Sequence, residues 1–114
     1  MIALCAFNTL RAQDPPNYAV LQAVVEGLRS PAQCAQIDLF LRAQPDVIVA
    51  RTDYNTRNVM IQVPAFSSAG REQLKAWFTS LGLEIHCYRR YPLTSAVYTP
   101  LDPRTCTEEA VPVR

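Results

Sequence analysis

The sequence predicts an α+β fold in which two β-α-β halves share one antiparallel sheet. Three observations carry that reading. Two segments place apolar residues at helical spacing, residues 32–44 and the stretch that follows Ser67-Ser68. Four segments, residues 18–26, 47–53, 58–63 and 83–88, are apolar, β-branched or alternating in the manner of strands. Their order along the chain is β-α-β-β-α-β. Such an order lays both helices on one face of a four-stranded sheet with strand order 4-1-3-2, the ferredoxin-like arrangement.

The elements follow in order. The chain has 114 residues, 49% of them hydrophobic and 18% charged, which suits one domain with a real core. Eleven Lys and Arg stand against ten Asp and Glu, a net charge of +1 that argues against a polyanion-binding protein. Residues 1–10 (MIALCAFNTL) form an apolar run, followed by Leu10-Arg11-Ala12-Gln13 and the break Asp14-Pro15-Pro16-Asn17. That order matches the back half of a secretory signal, so residues 1–13 are expected to be a partial signal peptide cut after Ala12. Residues 14–17 are then a linker, and the mature chain is expected to be periplasmic or secreted. No apolar stretch approaches the roughly 20 residues of a transmembrane helix.

In the first strand Ala19, Leu21, Ala23 and Val25 share one face, with Gln22 and Glu26 on the other. Residues 27–31 (GLRSP) break the run, with Ser30 as N-cap and Pro31 at the first helical position. Cys34, Ile37, Phe40 and Leu41 form the apolar stripe of the first helix, which Pro45 stops. Residues 54–57 make the next turn, where Asn55 is expected to take left-handed backbone. Val59, Ile61 and Val63 then point inward, with Asn58, Met60 and Gln62 outward. Leu74, Trp77, Phe78 and Leu81 form the second helical stripe, and Gly82 caps it. In the last strand Leu83, Ile85 and Cys87 are expected inward, and Glu84, His86 and Tyr88 outward. The domain is thus expected to span residues 18–90, with a Pro-rich tail over 91–114.

The stretch from Ala19 to Tyr88 also resembles the heavy-metal-associated domain of copper chaperones and of the N-terminal modules of metal-pumping ATPases. The shared residues are Gly27-Leu28, Ile37 and Leu41 on the first helix, and Pro45-Asp46-Val47, where the family commonly has Pro-Gly-Val. Asp53 before the turn and the closing Ser80-Leu81-Gly82-Leu83 complete the likeness. In that family a Cys-x-x-Cys on the first loop clamps a soft ion such as Cu(I). Here the loop reads Gly27-Leu28-Arg29-Ser30-Pro31-Ala32-Gln33-Cys34. Counted from Gly27, the ligand positions fall on Ser30 and Gln33. Counted back from Pro45, they fall nearer Arg29 and Ala32. Neither register supplies two thiols.

Cys34 alone offers one ligand and would hold Cu(I) only if a second sulfur reached it, from Cys87, Cys106 or another molecule. Read as a plain side chain, it is a small apolar residue in the first helical turn. Cys87 and Cys106 are candidates for a disulfide that ties the tail to the last strand, with Cys34 as the alternative partner. His86 is the single histidine, and its neighbour Cys87 should face the other way, so no Cys/His catalytic pair is expected. Arg89, Arg90, Tyr88 and Tyr91 read as a cation–aromatic cluster pinning the tail, not as a nucleic-acid surface.

No phosphate loop and no catalytic triad spacing stand out, so no enzyme and no cofactor are expected. The resulting expectation is a small exported binding module that resembles a heavy-metal-associated domain without its metal clamp. It would dock a protein partner or a second copy through an open sheet face carrying Met60 and Gln62, or through a strand edge. The alternative is a soft-metal carrier using Cys34 and a second sulfur.

Overall fold

The computed structural model describes residues 17–94 and 98–106. The expected signal segment 1–13, linker residues 14–16 and the end of the tail lie outside the described residues. The elements are β1 (Tyr18–Glu26), α1 (Pro31–Arg42), β2 (Val49–Asp53), β3 (Asn58–Pro64), α2 (Arg71–Ser80) and β4 (Glu84–Pro92). The strands form one antiparallel sheet of order β2-β3-β1-β4, the ferredoxin-like order predicted from the sequence.

Local chemistry sets the helix ends. Ser30 Oγ accepts a hydrogen bond from the Gln33 amide at 3.1 Å, with Pro31 at the helix start, so α1 begins where its cap signal lies. At the far end of α2 the Leu83 and Gly82 amides donate back to the Phe78 and Thr79 carbonyls. Gly82 sits at φ 78°, completing a Schellman cap that a side chain would strain.

Cys34, Ile37 and Leu41 of α1 and Leu74, Trp77 and Phe78 of α2 pack against Ala19, Leu21, Ala23, Val25, Val59, Ile61 and Val63. Both helices therefore cover one sheet face. Burying those side chains supplies the dominant stabilisation, at roughly 25 cal/mol per Å² of apolar surface.

Two expectations about backbone and phase are corrected. The left-handed residue of the β2–β3 turn is Arg57 (φ 62°), not Asn55. Asp53 organises the turn instead, accepting from the Asn55 amide and the Thr56 hydroxyl, while Arg57 donates to the Leu28 carbonyl at 2.9 Å. In β4 the strict alternation fails at a bulge: Cys87 and Tyr88 together stand opposite Ala23, between the Gln22–Arg89 and Val24–His86 pairs. Cys87 takes φ 60°. The extra residue reverses the side-chain phase, so Cys87 faces the outer side and Tyr88 packs against the core, opposite to the expected orientation. Pairing resumes beyond the bulge, which carries β4 on to Pro92.

Candidate functional site

The face of the sheet that points away from the helices is not open. Residues 98–106 run back across it as a strap, joined to the sheet by two buried amides and a disulfide. Gln22 projects from β1 onto this face yet is fully buried, and Asn58 at the start of β3 is only 1% exposed. Such groups lose several kcal/mol when buried without partners, so their hydrogen bonding decides whether the face is stable.

It is complete. Gln22 Nε2 donates to Asn58 Oδ1 at 2.9 Å and to the Thr99 carbonyl at 3.0 Å. Gln22 Oε1 accepts from Arg89 Nε at 2.8 Å and from the Tyr91 hydroxyl at 3.3 Å. Asn58 Nδ2 donates to the Thr56 and Leu101 carbonyls, both at 2.9 Å, and its Oδ1 also accepts the Leu101 amide at 2.8 Å. Each amide side chain thus uses its full capacity. Arg89 reinforces the strap by donating to the Thr99 carbonyl and lying over the Tyr91 ring at 5.2 Å.

The second anchor is covalent. Cys87 and Cys106 are joined by a disulfide, with Cα atoms 5.9 Å apart. The β4 bulge is what turns the Cys87 sulfur toward the strap. Of the sequence cluster near the end of β4, Arg89 and Tyr91 hold the strap, whereas Tyr88 and Arg90 serve the opposite side. Arg90 donates to the carbonyls of Ala65, Ser67 and Ala69 in the β3–α2 loop, and Tyr88 receives Arg71 over its ring at 5.0 Å.

Cys34 is separated from these sulfurs. It is a free thiol, 4% exposed, inside the helix-side core, while the disulfide lies on the outer face. Burial chiefly pushes its pKa up, helped by the carboxylates of Asp38 and Asp53 and opposed by Arg57. A buried thiol with a raised pKa is a poor nucleophile and a poor metal ligand. Neither Cys87 nor Cys106 supplies Cys34 with the second sulfur of a soft-metal carrier, because the two are bonded to each other on the outer face.

One apolar cleft of about 80 Å³ remains where the strap leaves the sheet. Val20, Met60, Tyr91, Leu93 and Tyr98 line it, with Gln62 at its side. Leu93 and Tyr98 at the mouth are 42% and 41% exposed. Small-molecule and cofactor sites occupy roughly 300–1,000 Å³, so this cleft is the size of a single short apolar side chain. Met60 and Gln62, expected on an open face, form part of this walled cleft.

His86 lies on the outer face beside Glu26, its Nε2 3.3 Å from Glu26 Oε2. Glu84 joins them, the ligand atoms of all three falling within 4.8 Å of one another. The sequence reading did not bring these residues together, because Glu26 and Glu84 are joined only by strand register. Sequence alternation likewise places Gln22 and Asn58 on an outward face that the strap in fact covers. One signal was present: β1 carries Val20 and Val24 between its inward residues, an apolar run broken only by Gln22 that marks a strand buried on both faces.

No helix among the described residues is long and apolar enough to cross a membrane. No protein family, curated protein or solved structure matches the chain.

Proposed function

We propose that this is a small, exported, non-catalytic binding module that engages a protein partner by accepting one apolar side chain in the cleft beside the strap. The observation that carries the reading is the cleft itself: apolar walls, a volume of about 80 Å³ and half-exposed Leu93 and Tyr98 at the mouth. Hydrophobic anchors seated in such pockets dominate binding energy at many interfaces. The Cys87–Cys106 disulfide supports an oxidising destination, where such bonds persist. The buried, poorly ionised Cys34 supports a role in recognition instead of chemistry. Asp46 supports the resemblance to a heavy-metal-associated module without its clamp, since it adopts the left-handed backbone (φ 72°) suited to the glycine that family commonly has there.

The test is selection of displayed peptides against the oxidised protein and against Met60→Lys. Recovered peptides are expected to share one apolar anchor and to lose at least about tenfold in affinity for Met60→Lys, a charge placed in the cleft wall. Failure to recover binders, or binders indifferent to Met60→Lys while its melting curve matches wild type, would overturn the reading.

A further inference from the structure

The register of β1 and β4 sets Glu26 directly opposite Glu84. Like charges at facing positions of an antiparallel pair repel. Among the described residues, neither carboxylate has a Lys or Arg partner. His86, two residues beyond Glu84 and just before the bulge, projects from the same side of β4 and stands opposite Val24.

The imidazole carries a separate anomaly. The His86 side chain is 42% exposed, but its Nε2 atom is shut off from solvent and makes no hydrogen bond, although Glu26 Oε2 lies 3.3 Å away. A nitrogen buried in that manner costs free energy unless something accepts its lone pair or its proton. Two uncompensated carboxylates and one orphaned nitrogen therefore converge on the same small volume, with ligand atoms no more than 4.8 Å apart.

We propose that Glu26, Glu84 and His86 form a binding site for one divalent cation of the zinc type. Around such an ion, nitrogen and oxygen donors sit at about 2.0–2.2 Å, hence up to roughly 4 Å from one another. Side-chain rotations of the two exposed glutamates close the remaining gap. The imidazole selects against Ca²⁺ and Mg²⁺, which prefer all-oxygen shells, and favours zinc and its neighbours. Three protein donors leave a position for water. The ion would cancel the cross-strand repulsion and engage the orphaned nitrogen in one step. Cys87, Cys106 and Pro103 border the site on the strap side, so a bound ion would also sit against the anchor of the strap. This site lies at the other end of the outer face from the cleft and stands independently of the proposed partner binding.

The chain offers its own reporter, because His86 is the only histidine. Zn²⁺ is titrated into the oxidised, ¹⁵N-labelled Cys5→Ser/Cys34→Ser protein, which excludes uptake by free thiols. The expected result is saturation at one equivalent with a shift of the Nε2 resonance. In competition against a chromophoric chelator, His86→Gln and Glu84→Gln should each weaken uptake at least about tenfold, with melting curves confirming that both fold. Three outcomes would overturn the proposal: no saturable uptake below about 1 mM Zn²⁺, uptake that leaves Nε2 unmoved, or uptake that both substitutions leave intact.

Discussion

Gln22 Nε2 donates to Asn58 Oδ1 across 2.9 Å, linking β1 to β3 on the sheet face that looks away from the helices. Neither side chain alone could remain buried there. Each closes two of the other's neighbours into a network that ends on the Thr99 and Leu101 backbone, so the pair converts a two-layer sandwich into a sheet covered on both sides. The strap is held to the sheet by these polar contacts and by the disulfide.

Truncating either amide leaves its partner and a backbone group unsatisfied under the strap. Gln22→Ala and Asn58→Ala should each lower unfolding free energy by about 1–3 kcal/mol in urea titrations. The double variant should lose less than the sum, because the two share one hydrogen bond. In Asn58→Ala the Leu101 amide should also lose protection from hydrogen exchange, a local reading of strap release.

The disulfide closes a loop with a sequence separation of 19 residues. Replacing both cysteines by alanine should cost about 3 kcal/mol by the chain-entropy argument, read from the shift in urea midpoint at constant slope. Peptide mapping without reductant should recover Cys87 and Cys106 in one linked fragment.

Cys87 sits at φ 60° in the bulge, where a β-carbon is unfavourable. Once the disulfide is removed, glycine should therefore outperform alanine at this position. Cys87→Gly/Cys106→Ala is expected to be about 1 kcal/mol more stable than Cys87→Ala/Cys106→Ala, the opposite of the order for an ordinary strand position.

The raised pKa of Cys34 makes two predictions of one sign. Its alkylation by iodoacetamide should be at least about tenfold slower than that of a free thiol at pH 8, and the rate should go on rising above the ordinary thiol range near 8.5. Because the folded state resists ionisation of this thiol, stability should fall as pH climbs past the unfolded value, and Cys34→Ala should lack that slope. Site-resolved mass spectrometry and melts from pH 7 to about 10 measure both.

Without metal, the facing carboxylates of Glu26 and Glu84 repel. Glu84→Gln should raise the stability of the chelator-treated protein by about 0.5 kcal/mol, with the gain shrinking as salt is added. Thermal melts at low and high ionic strength give the comparison.

The sequence alone determined the helix-side half of this protein. The stripe of Cys34, Ile37 and Leu41, the alternation of Val59, Ile61 and Val63, and the Ser30 and Gly82 caps are local signals with fixed periods, and they specify the ferredoxin-like order without reference to anything distant. The Cys87–Cys106 bond was also among the readable pairings. Only the tertiary structure decided the outer face. A bulge depends on the register between two strands, and it alone turns Cys87 out and Tyr88 in. The burial of Gln22 and Asn58 depends on a segment far along the chain reaching their open valences. Glu26, Glu84 and His86 meet because β1 and β4 lie side by side. Periodicity reports which face a residue takes; what covers that face is set by contacts between residues far apart in the chain, which no local pattern encodes.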